Sequence, residues 1–288
     1  MSAQSNTARF AKRYRDAAAC RTALANYHWL TGIGEPLRLP RLLSADAGHL
    51  DFEFVHGRAA VPDDLVALAG HLGDVHSAAH VKELHRARLD TPYATGGGHY
   101  IPDFLTPRLQ VLPRRLRSGT VPEPWLDVEQ AIRLLRQAAA GPAALYKDAN
   151  PRNFLITANG PIALDIDVDD LTLAPFGYDL AKLIVTLAMT HGPISAQVIE
   201  HSLAAYNAAA NRQKPGLGHV TWSDLMAWTE IHHILTSPYL GAGGYQHSWH
   251  TLRPDAPWAS PVTRAAPQRT TLHVGLAIGL ALQSAHGP

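Results

Sequence analysis

Apolar positions along the chain switch between two periods, and each switch marks an element. Residues 8–15, ARFAKRYR, suit a short strand of long side chains. Residues 16–30 are Ala-rich, with Ala23, Tyr27 and Leu30 near helical spacing and Asp16 placed as an N-cap, which predicts a helix. Gly32, Gly34 and Pro36 end it. Residues 37–43 and 50–55 read as two strands, the second alternating apolar and acidic positions until Gly57 breaks the pattern. From Pro62 the spacing turns helical, with Leu65, Leu68, Leu72, Val75 and Ala79 on one face. Residues 91–124 show no period. Gly, Pro and basic residues dominate them, so a long loop or irregular insertion is expected. The triple glycine Gly96 to Gly98 lacks the strand before and the helix after that a phosphate cradle requires, and reads as a flexible loop. Residues 127–139 predict an amphipathic helix, and FLIT, Asn159-Gly160 and PIALDID predict a hairpin. Residues 177–190, 194–210, 221–237 and 270–284 predict helices, while 238–269 are rich in Gly, Pro and aromatics.

A small mixed region is thus followed by a larger helical one. The expected class is α+β, in two lobes, with the boundary within residues 52–58: an N-lobe over 1–58 and a C-lobe over 59–288. Ligand sites favour the cleft between such lobes. Composition narrows the partners. Hydrophobic residues make up 46% of the 288 and charged residues 17%, a globular balance. A formal net charge of +1 supplies no field for nucleic acid or an anionic membrane, so neither is an expected partner. Cys20 is the only cysteine, which excludes an internal disulfide or a cysteine-based zinc cluster. No apolar signal core or bilayer-length apolar stretch stands out, so a cytoplasmic monomer or weak dimer is expected. The 17 histidines include no His-Glu-x-x-His pattern and read as surface or half-buried polar groups.

The chemistry is concentrated in LYKDANPRNFLITANGPIALDIDVDD, residues 145–170. Asp148 and Asn153 lie five apart on a tight loop before a strand, and Asp165 follows twelve residues after Asn153, past the hairpin. Phosphoryl transfer needs a carboxylate to orient and deprotonate the acceptor hydroxyl, and a carboxylate with an amide oxygen to hold Mg ions on the phosphates. Asp-x-x-x-x-Asn, a hairpin and Asp supply those groups in that order. Taken singly, Asp148 is an ordinary loop or cap residue, and Asp165, Asp167, Asp169 and Asp170 read as a solvated turn; their joint spacing favours catalysis.

The same segment resembles the catalytic core of the aminoglycoside phosphotransferase and choline kinase-like families, relatives of the protein kinases. Their His-Gly-Asp, Asn and Ile-Asp-x-Asp appear as Tyr146-Lys147-Asp148, Asn153 and Leu164-Asp165-Ile166-Asp167. Gly177-Tyr178-Asp179-Leu180-Ala181 resembles the start of the helix whose Asp caps it and braces the catalytic loop. The resemblance implies a kinase-like fold, Mg-ATP as cofactor and a small-molecule hydroxyl as acceptor. It implies Asp148 as the catalytic carboxylate and Asn153, Asp165 and Asp167 as metal ligands, with Asn153 also serving the nucleotide site. Upstream, Phe10-Ala11-Lys12-Arg13-Tyr14 resembles the strand whose lysine meets the phosphates, and Phe52-Glu53-Phe54-Val55-His56-Gly57 the inter-lobe segment whose backbone, at Glu53 and Val55, meets adenine. Arg152 is either a charge near the transferred phosphoryl or acceptor, or a salt-bridge partner that shapes the loop.

Eleven residues precede Lys12, fewer than the two strands and Gly-rich turn usual in such lobes, and helix 16–30 holds no Glu to pair with it. The N-lobe is therefore read as truncated, and a catalytically weak or inactive nucleotide-binding protein stands as the second reading. A protein kinase is a weaker third, since no Ala-Pro-Glu follows Asp165. Residues 181–288 contain only Glu200, Asp224, Glu230 and Asp255 as acids against six Lys or Arg, which disfavours a polycationic aminoglycoside. Trp222 and Trp228 read as core, whereas Tyr245 and Trp249 are pocket candidates.

Overall fold

A computed structural model describes residues 8–33, 36–163 and 171–254. The chain opens with strand β1 (Arg9–Arg13) and helix α1 (Ala17–Ile33), followed by β2 (Leu42–Ala45) and β3 (His49–Glu53). The three strands form an antiparallel sheet in the order β1-β3-β2. Alternation in β3 buries Leu50 and Phe52, and α1 covers them through Cys20, Ala23, Tyr27 and Leu30. The Tyr27 hydroxyl donates to Pro40 O at 2.9 Å and accepts from Leu42 N at 3.0 Å, which ties α1 to the strand behind it. The first of the two predicted strands near residue 37 begins only at Leu42, after a run that holds Pro40.

A short strand β4 (Arg58–Ala59) leads to helix α2 (Leu65–Lys82), whose apolar stripe is buried as its spacing predicts. The expected irregular insertion over 91–124 is corrected: it folds as hairpin β5 (Tyr93–Ala94) and β6 (Tyr100–Ile101), then helix α3 (Leu105–Arg117). Gly96 to Gly98 form the tip of that hairpin, with Gly98 at φ +80. The helix escapes an apolar-period reading because Arg108 occupies an inward position and Pro113 lies inside it. Arg108 is buried there by lying over the Phe104 and Tyr178 rings, at 4.3 and 4.7 Å, while its Nε donates to Tyr178 Oη at 2.9 Å.

Helix α4 (Val128–Ala138) carries a capping box from Asp127 and Gln130. Strand β7 (Ala143–Tyr146) and the hairpin β8 (Phe154–Thr157) with β9 (Gly160–Ala163) bracket the candidate catalytic loop. The hairpin turn centres on Ala158 and Asn159, and Gly160 opens β9 at φ +96. Strand β10 (Thr172–Pro175) pairs with β7, and helices α5 (Tyr178–His191), α6 (Ala196–Gln213), α7 (Trp222–Thr236) and α8 (Trp249–Leu252) complete the described chain. The helix expected over 270–284 lies outside the described residues. Helix α2 packs tightly on α6: a Cβ at Gly73 would stand 2.4 Å from Tyr206 O and 2.9 Å from Ala209 Cβ, so glycine sets that separation. No helix of the described residues is long and apolar enough to cross a membrane.

Several histidines sit in this core. Burial pushes His80, His232 and His233 down from the ordinary value and His71 down to about 4. The unfolded chain therefore binds protons near pH 6.5 that the native chain refuses, so stability is full above that pH and is lost as pH falls toward 4. Urea unfolding at pH 5 is expected to show a free energy lower than at pH 7 by about 2 kcal/mol or more. A flat profile from pH 7 to 5 would contradict neutral burial of these rings.

Candidate active site

The loop between β7 and β8 is built for position rather than comfort. Asp148 holds φ +40, a left-handed conformation uncommon for any residue but glycine. Neighbours impose it. Asn150 N donates to Asp148 O at 2.6 Å, Asn153 Nδ2 donates to the same oxygen at 2.8 Å, and Asn150 starts the helical turn Pro151–Asn153. Lys147, Ala149 and Asn150 are buried, while Asp148 remains partly open. Strain of this kind persists only where the surroundings over-determine it, and it concentrates at functional sites.

Three groups fix the Asp148 carboxylate. Tyr146 Oη donates to Oδ1 at 3.2 Å, Asn153 Nδ2 donates to Oδ2 at 3.3 Å, and Lys182 Nζ stands 3.4 Å from Oδ1. Burial, then the Asp148 charge, raises the Tyr146 phenol well above its ordinary value, so it stays protonated as a donor. Tyr146 takes the place of the histidine in the pattern read from sequence, and Lys182 comes from α5, where nothing local marked it as part of the site.

A second layer holds the loop from beneath. Gly177 N donates to Tyr206 Oη at 2.9 Å, and that hydroxyl lies 2.7 Å from His76 Nδ1. His76 Nε2 lies 3.2 Å from Asp179 Oδ2, which also accepts from Lys147 N at 3.3 Å. The donors run in one direction if His76 is neutral with its proton on Nε2. Asp179 therefore reaches the loop backbone, as its sequence context implies, but the residue at the N-cap of α5 is Gly177, at φ +83. Tyr206→Phe leaves a buried His76 nitrogen and the Gly177 N–H without this partner. It is expected to cost about 1–3 kcal/mol in urea unfolding, the scale for buried polar groups stripped of a partner. A cost under about 0.5 kcal/mol would contradict the relay.

Asp148 faces a cavity of about 550 Å³, within the range of small-molecule sites. Tyr146, Arg152, Lys182, Arg115, His232 and Tyr245 are among its walls. Tyr245 Oη accepts from Asn150 Nδ2 at 2.6 Å and from Arg152 Nη2 at 3.4 Å, and Arg152 lies over the Tyr245 ring at 5.6 Å. Tyr245, a pocket candidate from sequence, thus lies against the candidate catalytic loop. Trp249, the other, is corrected: it is fully buried core and donates Nε1 to Glu230 Oε1 at 3.1 Å. Trp228 is core as expected. A larger cavity of about 630 Å³ between α1 and α2 shares no lining residue with this one and contains none of the candidate catalytic residues.

The remaining sequence candidates are distributed differently. Lys12 lies on β1 with its Nζ 5.4 Å from the Tyr14 ring centroid. Glu53 ends β3 and its side chain accepts from Arg41 N at 3.0 Å, and Val55 follows in the segment joining β3 to β4. Asp165 and Asp167 lie outside the described residues. Among the described residues no group of three His, Cys, Asp or Glu converges on a metal site. The described member of the expected metal set is Asn153. Its amide nitrogen turns to Asp148, so its oxygen, a hard donor suited to a divalent cation, lies on the other side of the amide.

A family profile described as the phosphotransferase enzyme family matches residues 4–216. No curated protein matches the sequence. Solved structures share the fold at low identity. An amicoumacin kinase in complex with AMP-PNP, Ca2+ and its ligand aligns with TM-score 0.56 at 13% identity, over 82% of this chain and 76% of that one. A macrolide 2'-phosphotransferase apoenzyme from Brachybacterium faecium aligns with TM-score 0.50 at 15% identity, over 82% and 78%. An ethanolamine kinase from Plasmodium vivax aligns with TM-score 0.51 at 10% identity, over 83% and 73%. The small strand-bearing N-terminal region and mainly helical remainder are the kinase-like fold of these proteins.

Proposed function

The chain belongs to the phosphotransferase enzyme family, and on that premise we propose that it transfers the γ-phosphoryl group of ATP to a hydroxyl of a small molecule. The observation that carries the reading is the Asp148 carboxylate, held on a strained loop by Tyr146, Asn153 and Lys182 and open to a cavity of about 550 Å³. In this reading the hydroxyl of the acceptor donates to Asp148, which aligns its oxygen with the phosphorus and takes its proton as the new bond forms. Arg152 lines the same cavity, where its charge meets the phosphoryl group or the acceptor. Residues 1–58 act as the nucleotide-facing lobe, with Lys12 toward the phosphates and the backbone of Glu53 and Val55 toward adenine. Asn153, with Asp165 and Asp167, would hold Mg. The ion would neutralise charge on the phosphates.

Calorimetric titration with ATP, with and without Mg, tests the cofactor assignment; binding that ignores Mg, or no binding, would contradict it. Lys12→Ala is expected to weaken Mg-ATP binding by about 1 kcal/mol, the scale of one imperfect charged contact. That modest value follows from phosphate contacts that the metal would mostly supply. Abolition of both binding and turnover would show instead that Lys12 dominates the phosphate site.

A further inference from the structure

The cavity beside Asp148 has an uneven charge. Among the described residues its walls hold three cations, Arg115, Arg152 and Lys182, and one carboxylate, Asp148. Lys182 is already paired with Asp148 at 3.4 Å. The guanidinium of Arg115 is anchored through Nη1 to the backbone carbonyls of Ile234 and Leu235, and among the described residues no carboxylate lies within salt-bridge reach of it or of Arg152. A guanidinium offers donors in a planar fork that matches a carboxylate, and a charge-assisted pair of that kind is stronger than a neutral one.

A cationic acceptor finds the reverse. Its ammonium groups need carboxylates to replace their hydration, and the single one among the described lining residues is engaged by Lys182 and is required for the hydroxyl. The face of Tyr245 is also taken, since Arg152 itself lies over it. His232 adds a directional contact. Its Nε2 lies 3.1 Å from Tyr178 O, a carbonyl that can only accept, so the ring proton is there. Nδ1 is then a buried lone pair without a partner among the described residues.

Resting on the phosphotransferase reading of this site, we propose that the acceptor is a hydroxylated carboxylic acid, seated with its carboxylate between Arg115 and Arg152 and a hydroxyl at Asp148. Transfer is then a displacement at phosphorus. The hydroxyl oxygen forms a bond to the γ-phosphorus, the bond from that phosphorus to the β,γ-bridging oxygen breaks, ADP leaves with the electron pair, and the hydroxyl proton passes to Asp148. The product is a phosphorylated acid with more negative charge than the substrate.

The test uses the full chain with Mg-ADP bound and a set of aryl hydroxy-carboxylic acids, each with its primary amide and its amine counterpart, followed by ligand-observed NMR. The acids are expected to bind about tenfold or more tightly than their amides, with the amines weakest. Arg152→Gln is expected to remove most of the preference for acid over amide. Arg115→Gln is expected to act likewise, with a thermal melt reporting folding. Where it does not fold, Arg152→Gln decides alone. Amides or amines that bind as tightly as the acids would overturn the proposal, and so would an acid preference that survives Arg152→Gln. If the cations serve only the transferred phosphoryl group, acids and amides bind alike and Arg152→Gln lowers turnover alone, which also overturns it. Acid-selective binding without any phosphoryl transfer would uphold the selectivity and count against the phosphotransferase reading, so the two fail separately.

Discussion

Asp148→Asn is expected to lower acceptor phosphorylation by about a hundredfold or more, the usual consequence of removing a general base. Mg-ATP affinity should change little, because the substitution keeps the shape of the side chain and the assigned role belongs to the transition state. The geometry explains why the effect is confined. The φ of +40 at Asp148 is imposed by Asn150 and Asn153 through backbone and amide contacts, which Asn at this position leaves in place. What is lost is a negative oxygen facing the cavity. An Asp148→Asn protein that phosphorylates its acceptor at the wild-type rate would refute the assignment. Unchanged Mg-ATP binding with no transfer by either protein would favour the binding-protein reading instead.

Glu230→Ala carries the largest expected cost in stability. Glu230 is fully buried on α7, where its Oε2 accepts from Arg253 Nη1 at 3.0 Å and from Trp125 N at 3.3 Å, and its Oε1 from Trp249 Nε1 at 3.1 Å. Arg253 also donates to Glu123 O at 2.9 Å and lies 3.9 Å from the Trp125 ring centroid. Removing the carboxylate leaves a buried guanidinium and a buried indole N–H without their partner. Breaking a buried pair in this way costs about 3–5 kcal/mol. Glu230→Gln keeps an acceptor and should cost less. The effect reaches function, because the same contacts pin the segment carrying Trp249 and Arg253, and Tyr245 of that segment forms a wall of the cavity. Urea unfolding of the alanine variant within about 1 kcal/mol of wild type would show that the cluster is not a structural anchor.

How far the sequence announces this arrangement depends on the range of the signal. Helices α2, α5, α6 and α7 carry long apolar stripes, and their positions follow from spacing alone. The loop between β7 and β8 is legible because Asp148 and Asn153 are close in sequence and precede a strand. Strand β7 is a run of four residues and β10 a run of three after Thr172 whose side chains are apolar without alternation, a pattern that helices share. Helix α3 hides because its inward Arg108 is made apolar in effect by two aromatic rings that arrive from elsewhere. Trp249 looks like a pocket residue beside Gly241, Gly243 and Gly244, yet Glu230, nineteen residues earlier, draws it into the core. Lys182 and Arg115 reach the cavity only through the packing of α5 and α3, a tertiary fact that no local pattern encodes.

The central claim is that a phosphoryl group leaves ATP for a hydroxyl placed at Asp148. Its most direct test follows the label from ATP carrying heavy oxygen on the γ-phosphoryl group, incubated with Mg, the protein and hydroxylated carboxylic acids, and read by mass spectrometry. The account predicts label in an organic phosphate monoester with the wild-type protein and its near absence with Asp148→Asn. Label recovered solely as inorganic phosphate with the wild-type protein, or an equal yield of monoester from both proteins, would contradict it.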